Sequence, residues 1–277
     1  MKIRGNKLEG VPYQASPNVS GEFQNDLPDT IIIHYTGGSS AQSAVSTLTN
    51  PNARASAHIV IGQNAEIIQL VPFNVIAWHA GKSAYNGREN LNKYSIGIEI
   101  DNAGPLTLKN GKYKSWFGKS YPENEVVTAR HKNGGKYLYW HKFTALQVEA
   151  VKNLSVLLKE NYNIQTILGH DDISPGRKSD PGPAYPMIEL LDYVFPEVIN
   201  EPERREDRSG DTLDKNIERE VIANALNFRS GAGASFHTIT EPLRKGTRVI
   251  VISENNGWSK IQVQTNIEGW VSSNYLK

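Results

Sequence analysis

The sequence predicts an α/β domain followed by a small all-β domain, and three observations carry that expectation. Short apolar runs, β-branched in the main, at Thr30–Tyr35, Ala57–Ile61 and Ser95–Asp101 have the length and composition of sheet strands. Between and after them come segments with apolar residues at helical spacing, the longest over residues 146–158. From Ala225 onward the pattern changes to short alternating strands separated by glycine turns.

Taken in order, residues 1–29 are polar and turn-rich and read as a leader lying along the first domain. Thr30–Tyr35 is a buried central strand. Ser40 is placed to cap a short helix in which Ala44, Val45 and Leu48 share a face. Ala57–Ile61 and Glu66–Leu70 flank Gly62-Gln63-Asn64-Ala65 and read as a hairpin. Ser95–Asp101 alternates like a strand. Residues 103–141 are richer in Gly, Lys and aromatic residues than their neighbours, and read as an insertion of one or two hairpins. Thr144 and Gln147 have capping-box spacing for a helix carrying Leu146, Ala150, Val151, Leu154, Leu157 and Leu158. Ile164–Gly169 returns as a strand that delivers His170, and Tyr185–Val194 closes the domain as a helix. The boundaries that follow are a first domain over 1–196, a charged linker over 197–220 and a β-domain over 221–277.

Composition excludes several classes. Thirty Lys and Arg against twenty-nine Asp and Glu give no global electrostatic case for nucleic acid. The chain of 277 residues has no cysteine, which removes disulfides, iron–sulfur clusters and thiolate zinc sites. No apolar stretch approaches the length of a membrane span. Met1–Asn6 starts with positive charge but no apolar segment follows it, so no secretory signal is expected. A monomer is the favoured state.

His34 ends the apolar run Ile31-Ile32-Ile33, and His170 and Asp180 share one compact segment. Two imidazoles and one carboxylate form a three-ligand set that leaves zinc a fourth position for water, which points to hydrolysis. Taken singly, each residue has an ordinary reading. A strand-end histidine is more often a hydrogen-bonding residue, and Asp180 before Pro181-Gly182 caps a turn as readily as it binds an ion.

The order of motifs separates these readings. IIIHYT (31–36), SAHIVIGQNAEIIQLVP (56–72), AWHAGKS (77–83), YSIGIEI (94–100) and GHDDISPGRKSDPG (169–182) occur in sequence. Over residues 28–195 the chain resembles the zinc-dependent N-acetylmuramoyl-L-alanine amidases of the amidase type 2 group, relatives of the peptidoglycan recognition proteins. LNFRSGAGASF (226–236), LRKGTRVIVI (243–252), NGWSKIQV (256–263) and EGWVSSNYL (268–276) resemble a bacterial SH3-like domain, a small β-barrel that commonly helps cell-wall enzymes hold peptidoglycan. The resemblance implies a central mixed β-sheet flanked by helices, plus the barrel.

It also implies roles. His34, His170 and Asp180 would bind Zn2+, in agreement with the ligand chemistry. Glu99 aligns with the family's catalytic acidic position and would handle the water as general base and acid, with an outward-facing strand glutamate as the alternative. Some relatives carry a tyrosine just before the SAH-type histidine where this chain has Ala57, which leaves that task to Glu99. Lys178 would stabilise the oxyanion, against the alternative of a solvated loop lysine. Trp78 and His79 are candidates to line the substrate groove, with a core tryptophan as the competing reading of Trp78. Arg54 and Arg88 either pair with stem-peptide carboxylates or are ordinary surface arginines. His58 reads as a buried structural histidine rather than a ligand. The insertion's Tyr113, Trp116, Phe117, Tyr137, Tyr139 and Trp140 either extend the groove or cover their own small core. The expected substrate is peptidoglycan or a muropeptide, cut between N-acetylmuramic acid and L-alanine. The alternatives are a non-catalytic peptidoglycan-binding protein and a cytoplasmic recycling enzyme acting on soluble anhydro-muropeptides.

Overall fold

A computed structural model describes residues 1–196, 217–233, 236, 238–240, 242–255, 257–263 and 267–277. The chain divides into two compact units, Met1–Glu197 and Val198–Lys277. The first is built on a five-stranded sheet in the order Thr166–Gly169, Thr30–Tyr35, Ser95–Ile100, Ile59–Ile61, Ile67–Gln69. The first four strands run parallel and the last is antiparallel, which makes the sheet mixed.

Alternation along these strands sorts two faces. Ile31, Ile33, Ile59, Ile61, Ile96, Ile98 and Ile100 pack against the helices Ala145–Asn161 and Met187–Val194. Each such side chain at full burial contributes about 1.5–3 kcal/mol. The long helix starts at the capping box: Thr144 Oγ1 accepts from Gln147 N–H at 3.1 Å, and Gln147 Oε1 accepts from Thr144 N–H at 3.0 Å. Gln147 Nε2 then donates to the Asp101 carbonyl at 2.8 Å, tying the helix to the end of the Ser95–Ile100 strand. On the opposite face the helix Ala41–Leu48, capped by Ser40, covers Val60 with Val45 and Leu48, and Ile32 and Leu168 pack with Ile173. Between those two apolar patches the face turns polar.

The leader lies along this unit as expected. Val19–Glu22 pairs antiparallel with Val75–Ala77, and Leu8 N–H donates to Gln69 Oε1 at 2.8 Å. The insertion is larger than the one or two hairpins read from its sequence. Pro105–Lys109, Lys112–Lys114, Ser120–Tyr121, Val126–Arg130 and Tyr137–His141 form one antiparallel five-stranded sheet. Pairing of Leu106 with Tyr139 joins hairpins that local turn signals alone leave separate.

In the second unit Ile217–Glu220, Arg248–Asn255, Trp258–Gln262 and Glu268–Ser272 form a four-stranded antiparallel sheet. Val221, Leu226, Phe228, Val249, Val251, Ile261 and Val271 fill its core. The linker expected over 197–220 is corrected at its end, because Ile217–Glu220 is a strand at the sheet's edge. Edge strands tolerate charge, so Glu218, Arg219 and Glu220 disguised it as linker. The rest of that expected linker, 197–216, lies outside the described residues. No described helix is long and apolar enough to cross a membrane.

Candidate metal centre and catalytic groove

Parallel register sets His34 opposite Glu99 on adjacent strands, Cα partner to Cα partner. Ile33, Ile98 and Ile100 commit their faces to the core, so the period of two sends His34 and Glu99 to the polar side together. One strand over, Gly169 pairs with Ile33, and the chain turns directly into the short helix His170–Ile173. Asp171 N–H donates to the Asp180 carbonyl at 2.8 Å and closes the intervening loop, which returns Asp180 to His170.

The outcome is a tight triangle. His34 Nδ1 lies 2.9 Å from His170 Nδ1, and each lies 2.9 Å from Asp180 Oδ2. All three side chains are buried. The far side of each ring fixes what faces inward. His79 Nε2 lies 3.1 Å from the Ser95 carbonyl, which can only accept, so His79 Nδ1 carries a lone pair toward His34 Nε2 at 3.1 Å. His34 is therefore protonated on Nε2 and bare on Nδ1. His170 Nε2 lies 3.1 Å from the Ala80 carbonyl, which can only accept, and is closer to it than to Arg177 Nη2 at 3.4 Å; a neutral ring there carries its proton on Nε2 and leaves Nδ1 bare. Burial lowers His34 to about 4, with His170 adding to the effect, so its ring is neutral near pH 7. Two nitrogen lone pairs and a carboxylate oxygen converging at 2.9 Å repel one another unless a cation stands among them. This donor set fits zinc, which takes imidazole nitrogen and carboxylate oxygen.

Gly97 shows how closely the site is packed. A Cβ there would lie 2.4 Å from His79 Cγ, so the bare glycine makes room for the ring that orients His34. Beside the triangle, Glu99 Oε2 is buried without a hydrogen-bond partner. Burial raises its pKa well above the ordinary value, the Asp180 charge adds to that, and Lys178 opposes it. Glu99, Lys178, Trp78, Tyr35, His170 and Asp180 line one cavity of about 360 Å3. Tyr35 Oη and Ser179 Oγ, 2.7 Å apart, tie the cavity's rim together.

Of the residues singled out in the sequence, His34, His170, Asp180, Glu99 and Lys178 come together here. Trp78 is half-buried and stands between this cavity and a larger one of about 870 Å3, on which Arg54 borders. His79 lines the cavity as expected, and its ring is also held inside the protein, Nε2 toward the Ser95 carbonyl and Nδ1 toward His34 Nε2, so it orients His34. Arg88 is held by Asp29, Nη1 to Oδ2 at 2.7 Å, with its guanidinium over the Tyr94 ring, and lines neither cavity. His58 is structural as expected: its Nε2 donates to the Val75 carbonyl at 2.9 Å and its Nδ1 accepts from Gly97 N–H at 3.0 Å. Sequence reasoning missed Arg177, which braces the ligand loop by donating to the Lys82 carbonyl and to Ser174 Oγ, each at 2.7 Å. No spacing signal announces it, because its partners lie about ninety residues away or on a loop of irregular shape.

Fold and site together define a hydrolase with a three-residue candidate metal set. Comparison with known proteins makes this specific: the family model described as N-acetylmuramoyl-L-alanine amidase matches residues 24–183, and that of the bacterial SH3 domain matches residues 224–277. The chain belongs to the N-acetylmuramoyl-L-alanine amidase family, whose members are hydrolases of an amide bond. The 1,6-anhydro-N-acetylmuramyl-L-alanine amidase AmpD of Escherichia coli (strain K12) is 30% identical over 195 residues, 64% of this chain and 88% of that protein. The N-acetylmuramoyl-L-alanine amidase AmiD of the same strain is 32% identical over 192 residues, 66% of this chain and 59% of that protein. A crystal structure of a selenomethionine AmpD derivative matches with a TM-score of 0.51 at 27% identity, covering 70% of this chain and 99% of that chain.

Proposed function

We propose that the protein hydrolyses the amide bond between the lactyl group of N-acetylmuramic acid and L-alanine, in peptidoglycan or in muropeptides, at a zinc site held by His34, His170 and Asp180. The observation that carries this reading is the triangle of bare acceptors 2.9 Å apart beside a buried carboxylate oxygen with no partner of its own. A zinc ion supplies two things to such chemistry, acidification of water to a pKa of roughly 7 and polarisation of a carbonyl. The chain supplies the rest. Glu99 takes the proton of the attacking water and returns it to the departing alanine nitrogen, a role that a carboxylate with a raised pKa fits. Lys178, on the same cavity, sets its ammonium toward the charge that develops on the carbonyl oxygen. Trp78 and Arg54 border the groove on which the rest of the substrate would lie.

The SH3-like unit supports action on the wall itself, with residues 221–277 holding peptidoglycan. The similarity to AmpD, named for a 1,6-anhydro-muramyl substrate, supports a second reading as a recycling enzyme of soluble anhydro-muropeptides. Incubation of the zinc-supplied protein with purified muropeptide should release free stem peptide with an N-terminal alanine, detected by mass spectrometry; no release sinks the amidase reading. Turnover of intact sacculi and of soluble anhydro-muropeptide, with and without residues 222–277, separates the two settings. Wall action requires that the deletion depress sacculus turnover and spare the soluble substrate.

A further inference from the structure

Residues 131–136 join the insertion strands Val126–Arg130 and Tyr137–His141, and three consecutive side chains of this turn grip the segment that follows His170. Lys132 Nζ lies 2.7 Å from Asp171 Oδ1 and 2.7 Å from Asp172 Oδ1. His131 Nε2 lies 3.0 Å from Asp171 Oδ2. Asn133 Nδ2 donates to the Asp171 carbonyl at 2.9 Å. The Asp171 side chain is only 2% exposed, so its charge is answered by the Lys132 ammonium rather than by water.

Asp171 stands where the ligand loop is decided. It is the neighbour of His170, and its N–H closes the loop onto the Asp180 carbonyl at 2.8 Å. Asp172 Oδ2 accepts from Gly169 N–H at 2.7 Å and sets the turn from strand into helix. The insertion also reaches the loop's far end. Trp140 fills the space beside Gly182, where a Cβ would lie 2.8 Å from its Cζ3, two residues past Asp180.

We infer that the His131–Lys132–Asn133 turn is a positioning element for the metal centre, and that the insertion holds the loop that carries His170 and Asp180. The inference rests on the reading of those two residues with His34 as ligands, and gives the insertion a task apart from any contact with substrate. A group that hydrogen-bonds a ligand directly is worth about 10–100-fold in metal affinity, and the turn acts one contact further out, through Asp171 and Asp172.

The test is the zinc dissociation constant of the folded full-length protein, measured by chelator competition, alongside the unfolding midpoint of the metal-free protein. Lys132→Met should weaken zinc binding several-fold, toward the low end of about 10-fold known for groups that hold a ligand, and Lys132→Arg should recover most of it. Tyr137→Ala, an exposed position of the same sheet, should leave the affinity at the wild-type value. A lowered midpoint with unchanged zinc affinity in folded Lys132→Met would make the turn merely structural and overturn the inference, as would an equal loss in Tyr137→Ala. Should Lys132→Met fail to fold, Asn133→Ala removes only the carbonyl contact and is read in the same way. Several-fold weaker zinc binding supports the inference and unchanged binding overturns it. Because the readout is metal affinity, it stands apart from whether the protein cuts a muramoyl amide.

Discussion

At the scale of single residues, the site depends on which nitrogen of each imidazole carries the proton. His79 sets that choice for His34, and Gly97 gives His79 its room. Gly97→Ala should therefore displace His79 and weaken zinc binding without touching a ligand; chelator competition on the variant checks this, and an unchanged affinity would detach His79 from the metal centre. Glu99→Ala should keep zinc and lose about 10²–10⁴-fold in kcat. The sign of the pH dependence follows from the role, since a base must be deprotonated to act. Burial and Asp180 raise Glu99, so wild-type kcat/KM should climb with pH through an apparent pKa above the ordinary carboxylate value, and that limb should vanish in Glu99→Ala. That His34, His170, Asp180 and Glu99 belong to one site was legible because they occupy ordered motifs. The role of His79 was not, because its partners Ser95 and His34 lie on two other strands and only the folded register brings them to it.

At the scale of elements, local signals read well and pairing signals read poorly. The capping box at Thr144 and Gln147 needs four residues to recognise and is formed as its spacing implies. Thr144→Ala should cost about 1 kcal/mol, seen as a lower denaturant midpoint with unchanged slope; no shift would mean that tertiary contacts alone hold the helix end. The insertion shows the opposite case. Its hairpin turns are local, but the Leu106–Tyr139 pairing that makes one sheet of them spans thirty-odd residues and leaves no periodic trace. Ile217–Glu220 was hidden for another reason, because a charged edge strand and a charged linker have the same composition.

At the scale of the whole molecule, the division into an α/β unit and a small β unit was readable from the charged stretch over 197–220 and the change to short alternating strands from Ala225 onward. What composition conceals is how many histidines the first unit buries. Burial holds His58 and His141 down to about 4, against an ordinary 6.5. Between those values the unfolded chain binds more protons than the folded one, so stability rises with pH and is lost as pH falls through the window. Thermal melts of the metal-free protein should show a lower midpoint near pH 4.5 than near pH 7 by that linkage, and equal midpoints would mean that these rings titrate normally in the fold.

The central claim joins one metal site to one bond. It is tested most directly by measuring bound zinc and stem-peptide release together, on purified muropeptide, for the wild type and for His34→Ala, His170→Ala and Asp180→Ala. The wild type should hold one zinc per chain and release the peptide, while each variant, folded by circular dichroism, should lose both. Release that persists in a folded variant without zinc would contradict the account.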